Sequence, residues 1–133
     1  MVERDTHPLV LIVDDTADAR DAMKALLELK GYPVVTATDG QEALDELRHG
    51  LHPALILLDL MMPRIDGFRF RKEQLLDPRL SRIPVIIFSG HPEVQNYAAV
   101  LGAAACFQKP VDVDRLLTLV QEHCTHPEAA VRS

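Results

Sequence analysis

Residues 9–37, LVLIVDDTADARDAMKALLELKGYPVVTA, contain a complete strand, helix and strand pattern. Two short apolar runs, Leu9–Val13 and Val34–Ala37, flank a segment in which apolar residues recur at helical spacing from Thr16 to Leu29. Gly31 follows this segment, and a glycine there can take the left-handed conformation that ends a helix. Near-continuous apolar runs are typical of parallel strands that are buried on both faces. The stretch therefore predicts two parallel strands joined by a helix.

The rest of the chain repeats this alternation of short apolar runs and helical segments. We expect further strands at Ala54–Leu58, Val85–Phe88 and Ala104–Phe107. Further helices are predicted to begin at Asp39, at Asp66 or Gly67, at Pro92 or Glu93, and at Asp112. Alternating strands and helices predict a doubly wound α/β fold, in which a five-stranded parallel sheet carries helices on both faces.

Length and composition limit what the protein can be. The chain has 133 residues, 47% hydrophobic and 26% charged, so we expect one domain over residues 1–125 and a short flexible tail over residues 126–133. The net charge of -6, from 20 acidic and 14 basic residues, argues against nucleic-acid binding, which depends on clusters of lysine and arginine. No apolar run is long enough to span a bilayer and no N-terminal signal segment is recognisable, so we expect a cytoplasmic protein.

Polar residues follow four of the five predicted strands. Asp14 and Asp15 follow the first strand, Asp59 the third and Ser89 the fourth, and Lys109 lies just beyond the fifth. Each of these residues alone is explained as well by a turn or a helix cap. The carboxyl ends of parallel strands share one edge of the sheet, however, and ligands bind there at the point where the strand order reverses. Together the five residues therefore predict one site.

The three aspartates would repel one another in such a crevice. If the strand order is 2-1-3-4-5, the reversal lies between strands one and three, where Asp14, Asp15 and Asp59 converge. At about 4–5 Å, each like-charge pair is unfavourable by about 3–4 kcal/mol before solvent and counterions relieve it. Oxygen ligands with room for water and a phosphoryl group suit Mg2+ better than a soft metal, so we expect Mg2+ as the cofactor.

With these residues in place, the sequence resembles the receiver domain of two-component response regulators from about Leu9 to Cys124. The motifs that carry the resemblance are Asp14-Asp15 after an apolar strand, LLDLMMPRIDG at residues 57–67, FSG at 88–90, GA at 102–103 and FQKP at 107–110. The resemblance implies a flavodoxin-like receiver fold with strand order 2-1-3-4-5.

The resemblance implies a role for each residue of the predicted site. Asp59 corresponds to the phosphoacceptor, and Ser89 and Lys109 correspond to the groups that contact the phosphoryl oxygens. The implied Mg2+ ligands are Asp14, Asp15, Asp59 and the backbone carbonyl of Met61. The Lys109–Pro110 peptide bond is expected to be cis.

The resemblance also implies a conformational switch. Ser89 would move toward the phosphoryl group and free space into which Phe107 rotates, and this would change the surface of the fourth helix, fifth strand and fifth helix. Tyr97 is a second candidate for this relay, although a core aromatic is the simpler interpretation. We interpret Met61 and His91 as residues that tune the loss of phosphate, and the alternative for His91 is a solvated loop residue.

We therefore expect a single-domain response regulator that accepts a phosphoryl group on Asp59 from a histidine kinase or a histidine phosphotransfer protein. It would relay or drain the signal through protein contacts, with a downstream target on the surface just described. It would not be a conventional enzyme. It would be a phosphoacceptor that catalyses only phosphotransfer to itself and its own autodephosphorylation. The starting methionine and short tail favour a complete chain, and a receiver fragment of a larger regulator or hybrid kinase is the alternative.

Two other classes of protein fit the sequence less well. An aspartate-nucleophile phosphohydrolase would carry a second acid two residues after the nucleophile, where this chain has Met61. A flavodoxin-like cofactor-binding module would need glycines or hydroxyls in the turn after the first strand, where this chain has Asp14-Asp15-Thr16.

Overall fold

Strands and helices alternate along the chain. A computed structural model describes residues 8–61 and 66–124. The elements are β1 (Val10–Val13), α1 (Ala17–Leu29), β2 (Val34–Ala37), α2 (Gly40–Arg48), β3 (Leu55–Asp59), α3 (Gly67–Leu76), β4 (Val85–Ser89), α4 (Val94–Leu101), β5 (Ala105–Gln108) and α5 (Val113–His123). The predicted tail at 126–133 and residues 62–65 of the central motif lie outside the described residues. Within the described part of the chain, no helix has the length and apolar character needed to cross a membrane.

The strands form one parallel sheet in the order β2-β1-β3-β4-β5. The predicted doubly wound α/β class and the predicted strand order are therefore confirmed. The order reverses between β1 and β3, which are direct neighbours in the sheet. The carboxyl ends of β1 and β3 consequently lie side by side, where a crevice forms in open sheets of this kind.

Three strands run one residue further than the apolar pattern predicts. They end at Asp59, Ser89 and Gln108, because the backbone stays in register beyond the last apolar side chain. Asp59 pairs with Phe88, and Ser89 pairs with Gln108. Ladder hydrogen bonds use only backbone groups, so a polar side chain does not end a strand. Asp59 and Ser89 are therefore held by the sheet rather than by loops.

The sheet separates two apolar layers. One, the α1/α5 layer, contains Leu27 of α1, Leu116 and Val120 of α5, and alternate strand residues such as Ile86, Phe88 and Phe107. The other, the α2–α4 layer, contains Ala43, Leu44, Leu47, Phe70 and Val94 of the three middle helices, and the remaining strand residues such as Val85, Ile87 and Cys106. Side chains alternate between the faces of a strand, so neighbours in sequence belong to different layers.

Aspartates cap three of the helices. The side chains of Asp39, Asp66 and Asp112 accept hydrogen bonds from the third residue of α2, α3 and α5 respectively. Each cap satisfies a backbone N–H that the helix leaves without an internal partner, and a cap of this kind contributes about 0.5–2 kcal/mol. The caps fix where these helices begin, in agreement with the predicted starts.

A buried arginine connects α3 to the end of α4. Arg71 is only 6% exposed, and its Nε donates to the carbonyl of Leu101 at 2.8 Å while Nη2 donates to the carbonyl of Gly102 at 3.0 Å. Its Nη1 donates to Oε1 of Gln74 at 2.8 Å. Burial lowers the pKa of the Arg71 guanidinium below its usual value. The last carbonyls of α4 are thereby held against α3, and they carry the partial negative charge of a helix C-terminus.

Candidate functional site

Three carboxylates meet at the edge of the sheet where the strand order reverses. One oxygen from each of Asp14, Asp15 and Asp59 lies within 4.8 Å of the others. Asp14 and Asp59 are 5% and 4% exposed, whereas Asp15 is exposed to solvent. The predicted convergence of the three aspartates is therefore present, with two carboxylates inside the crevice and one at its rim.

A single ammonium faces the two buried carboxylates. Nζ of Lys109 lies 3.5 Å from Oδ2 of Asp59 and 3.5 Å from Oδ2 of Asp14. The backbone N–H of Lys109 donates to the carbonyl of Ser89 at 2.8 Å, which fixes the end of β5 beside β4. The Lys109–Pro110 peptide bond is cis, as the resemblance implied. Nζ of Lys109 thus lies within reach of both buried carboxylates.

Burial governs the protonation of Asp59. Desolvation raises the pKa of Asp59 to about 6, and the nearby Asp14 carboxylate acts in the same direction. The N–H of Met61 donates to Oδ1 of Asp59 at 3.1 Å, and this bond and the charge of Lys109 lower the pKa without restoring its ordinary value. A bound cation stabilises the ionised form of a carboxylate whose neighbours do not fully offset its desolvation. The site therefore offers an ionisable oxygen in an environment that favours a further positive charge.

Backbone contacts fix the position of the first carboxylate. Oδ1 of Asp14 accepts the N–H of Thr16 at 2.9 Å, and the carbonyl of Asp14 accepts Nη1 of Arg20 at 2.8 Å. Arg20 lies in the first turn of α1, so the helix holds the strand end from the far side of the turn. Sequence reasoning missed this role, because an arginine on a helix gives no signal that separates a backbone contact from a solvated side chain.

The start of α3 approaches the end of β3 closely at Gly67. Its N–H donates to the carbonyl of Leu60 at 2.9 Å. A Cβ atom at Gly67 would lie 2.6 Å from Cα of Leu60 and 2.9 Å from the carbonyl oxygen of Asp59. Only glycine fits there without displacement of one of the two backbones. The signal in the sequence was the glycine at the first position of the helix, directly after the Asp66 cap.

Ser89 is fully buried at the end of β4, beside the carboxylates. Its Oγ accepts the N–H of His91 at 3.0 Å. His91 in turn uses Nδ1 to accept the N–H of Glu93 at 3.1 Å. That bond occupies the Nδ1 lone pair, so a neutral His91 carries its proton on Nε2. Nδ1 therefore gives no support to the predicted role of His91 in tuning the loss of phosphate.

The expected exchange of space between Ser89 and Phe107 does not fit the structure. Alternation along β4 places Ser89 on the same face as Ile87, in the α2–α4 layer. Phe107 lies in the α1/α5 layer on the opposite face, where its ring stacks on Phe88 with centroids 5.8 Å apart. The β5 residues on the face of Ser89 are Cys106, in the α2–α4 layer, and Gln108, which pairs with Ser89. The sequence could not show this, because β5 is apolar on both faces.

The chain matches the response regulator receiver domain family over residues 10–121, and it belongs to that family. Receiver domains are regulatory phosphoacceptor domains of two-component systems, and they interact with histidine kinases and phosphotransfer proteins.

Solved structures and curated relatives agree with this assignment. A response regulator receiver protein from Pseudomonas putida is 31% identical with a TM-score of 0.81, covering 90% of this chain and 99% of that chain. The response regulator protein TrrA of Thermotoga maritima, solved in complex with Mg(2+)-BeF, is 26% identical with a TM-score of 0.77, covering 87% and 98%. Response regulator Rre1 of Synechocystis sp. is 33% identical over 126 residues, which are 91% of this chain and 53% of that protein. The chain spans about half the length of the curated relatives it matches first, so a single-domain regulator stays a prediction.

Proposed function

We propose that this receiver domain accepts a phosphoryl group on Asp59 from the phosphohistidine of a histidine kinase or phosphotransfer protein. The observation that carries the proposal is the arrangement of three carboxylates with Nζ of Lys109, which lies 3.5 Å from both Asp59 and Asp14. A carboxylate nucleophile beside a fixed cation is what phosphoryl transfer requires, because positioning and charge stabilisation supply most of the catalysis.

Each residue of the site has a distinct part in the transfer. A carboxylate oxygen of Asp59 forms a bond to phosphorus while the P–N bond of the donor breaks, and the electron pair of that bond stays on the imidazole nitrogen. Asp59 has a pKa of about 6, so it is mostly ionised at neutral pH and can act as the nucleophile. Lys109 neutralises charge on one phosphoryl oxygen, and the hydroxyl of Ser89 donates to another. The N–H of Met61 holds Oδ1 of Asp59 and so orients the carboxyl group.

The donor set of the site fits Mg2+. Receiver domains bind Mg2+ in an acidic pocket, and this chain supplies the three clustered carboxylates for such a pocket. Asp14, Asp15 and Asp59 would hold the ion, with the backbone carbonyl of Met61 as a further oxygen ligand. All of these donors are hard oxygens, which Mg2+ prefers. A bound Mg2+ supplies positive charge that offsets the charge on the transferring oxygens.

We further propose that the phosphoryl group is lost by hydrolysis at the same site. The in-line position that the donor nitrogen occupies is then available to water, which attacks phosphorus while the bond to Asp59 breaks. The Met61 side chain is 59% exposed directly after β3, so it can limit how readily water reaches the phosphoryl group. The domain in this proposal turns over only its own phosphoryl group.

The donor protein has an apolar groove available beside the site. A cavity of about 330 Å3 lies between α1 and the start of α5, lined by Ala19, Ala22, Met23, Leu26, Val111, Val113 and Leu116. Val111 lies two residues beyond Lys109, so a donor helix in this groove would stand next to the carboxylates. We expect Ala22→Glu, on the exposed face of α1, to slow transfer from a phosphohistidine protein while leaving phosphorylation by a small acyl phosphate unchanged.

We propose that output proceeds through protein contacts on the surface of α4, β5 and α5. Val100 of α4 is 82% exposed there, and it offers apolar area to a partner. Phosphorylation can change the affinity of this surface only by the free-energy difference it creates between two states, typically about 1–3 kcal/mol. Which partner binds this surface then decides whether the signal is relayed onward or ends with loss of the phosphoryl group.

Intact mass after incubation with a small acyl-phosphate donor tests the phosphoacceptor. We expect one phosphoryl adduct with Mg2+ present and none with EDTA. Asp45→Asn, on α2 and away from the site, is the matched control and keeps the adduct. An adduct that persists in Asp59→Asn, or that forms equally without metal, contradicts the proposal.

A further inference from the structure

A continuous series of contacts leads from Ser89 to the middle of α4. Ser89 Oγ accepts the N–H of His91 at 3.0 Å, and His91 Nδ1 accepts the N–H of Glu93 at 3.1 Å, just before α4 begins at Val94. The ring of His91 packs on the ring of Tyr97 with centroids 5.6 Å apart and planes tilted by 50°. His91 therefore connects the buried hydroxyl both to the first turn of α4 and to its only tyrosine.

Tyr97 lies on the same face of the sheet as Ser89. It packs against the α2–α4 layer, and its ring meets Phe68 of α3 edge to face with centroids 5.1 Å apart. Edge-to-face aromatic pairs are favourable beyond their buried area, so the position of Tyr97 depends on its two ring neighbours.

The fifth strand offers no aromatic side chain to Ser89. The β5 residues on the face of Ser89 are the buried Cys106, whose thiol is too small to replace the contacts of a ring, and the exposed Gln108, which pairs with Ser89. Phe107 is held on the other face between Phe88 and the guanidinium of Arg115, whose Cζ lies 5.2 Å from the ring centroid. The contacts that lead from Ser89 to an aromatic side chain on its own face therefore run through His91 to Tyr97 of α4.

The two ends of α4 are held differently. The C-terminal end is fixed by two hydrogen bonds from the buried Arg71 to the carbonyls of Leu101 and Gly102. At the N-terminal end, the ring of His91 accepts the N–H of Glu93, and the N–H of His91 donates to Oγ of Ser89. Contacts from Ser89 thus reach the start of α4, whereas Arg71 holds its last carbonyls.

We propose that His91 and Tyr97 are the positioning residues that couple Ser89 to α4 in this protein, in place of an aromatic residue on β5. This rests on the proposed phosphorylation of Asp59. The Ser89 hydroxyl can donate its proton to a phosphoryl oxygen while its Oγ still accepts the N–H of His91, so a shift of Oγ toward the phosphoryl group pulls on that N–H. The turn at residues 89–93 then changes conformation, the ring of His91 shifts against Tyr97, and the first turn of α4 moves about the end that Arg71 holds.

Tyrosine fluorescence can follow this coupling directly. The chain has two tyrosines and no tryptophan, so Tyr32→Phe leaves Tyr97 as the sole reporter. Tyr32 lies beyond the end of α1 and packs against the α1/α5 layer, on the other side of the sheet. The probe is beryllofluoride added together with Mg2+. Beryllofluoride bound to a carboxylate mimics an acyl phosphate, and its binding is measured separately by fluorine NMR. The same measurement is made in Tyr32→Phe with His91→Ala, and in Tyr32→Phe with Phe107→Leu.

We expect beryllofluoride to change Tyr97 fluorescence in Tyr32→Phe and in the Phe107→Leu variant, and the change to be lost with His91→Ala although beryllofluoride still binds. If His91→Ala unfolds, His91→Asn replaces it, because the amide can still accept the Glu93 N–H but has no ring, and the same loss is expected. A full fluorescence change without His91, no change at all despite binding, or a loss caused by Phe107→Leu overturns the coupling. Absence of binding in every variant refutes the proposed phosphoacceptor, and the coupling with it.

Discussion

Replacement of Gly67 by alanine would place a methyl group against the strand that carries Asp59. The new Cβ would lie 2.6 Å from Cα and 2.8 Å from Cδ2 of Leu60, and 2.9 Å from the carbonyl oxygen of Asp59. Two of these atoms belong to the backbone of β3 and its extension, which cannot turn aside as the end of a side chain can. The first turn of α3 would therefore move away from Asp59.

The expected destabilisation follows from two effects. Forcing a methyl group into a packed site is unfavourable by about 1–3 kcal/mol. Moving the helix start also weakens the hydrogen bond from Gly67 N–H to the carbonyl of Leu60, now 2.9 Å long, which contributes about 0.5–1.5 kcal/mol. The better helix propensity of alanine returns at most about 1 kcal/mol. We expect Gly67→Ala to lower the free energy of unfolding by about 2–3 kcal/mol, a large part of the roughly 5–15 kcal/mol typical of a domain.

Urea unfolding at equilibrium measures this loss, and Gly90→Ala is the matched control. Gly90 is also close to the site, but a Cβ there meets no atom within 4 Å and its φ lies outside the left-handed region. Alanine at Gly90 should leave stability unchanged or raise it by up to about 1 kcal/mol, because it restricts the unfolded chain. Equal stability of Gly67→Ala and wild type would refute the argument that this close approach positions α3. So would an equal loss in both variants.

Three further predictions concern the charges of the site. In EDTA, Asp59→Asn should be more stable than wild type above about pH 6 by up to about 3 kcal/mol. The raised pKa means that the folded wild type binds more protons than the unfolded chain, so its stability falls as pH rises from 3.8 to about 6, and urea unfolding of both proteins across that window should show the difference growing. Mg2+ should raise the thermal midpoint of wild type in a concentration-dependent manner, and Asp15→Asn should require more Mg2+ for the same shift; identical titrations would argue against Asp15 as a ligand. Lys109→Ala should keep the Mg2+-dependent shift but form the phosphoryl adduct more slowly by on the order of 100-fold, and an unchanged rate would remove Lys109 from the transfer step.

The fold could be predicted because each level of the sequence agrees. The apolar runs, the glycines after helices and the aspartate caps all favour the same alternation, and such consistency is what makes a sequence specify one structure. The predicted starts of α2, α3 and α5 were correct because Asp39, Asp66 and Asp112 cap them. Strand ends were missed by one residue, since backbone pairing continues through Asp59 and Ser89.

The residues of the candidate site could be predicted, but the direction in which each side chain points could not. Residues at the ends of parallel strands meet whatever their intervening sequence, so Asp14, Asp59 and Lys109 could be grouped without coordinates. The face of Phe107 could not be predicted, because β5 is buried on both sides and apolar alternation carries no information there. Arg71 was missed for a related reason: a buried arginine that binds only carbonyls and an amide has the sequence signature of a solvated one.

The charge distribution around Asp59 explains how one site can respond both to a metal and to a phosphoryl group. Burial and the Asp14 carboxylate make the ionised Asp59 unfavourable, and Lys109 alone does not offset them, since the pKa remains at about 6. A cation that joins the three carboxylates therefore lowers the free energy of the folded state before any transfer occurs. The proposed phosphorylation would then replace a buried carboxylate by a group whose charge lies further out, within reach of both Lys109 and the hydroxyl of Ser89. The hydroxyl could donate its proton to that group while its Oγ still accepts the N–H of His91, so the proposed chemistry at Asp59 and the start of α4 would be linked through a single oxygen atom.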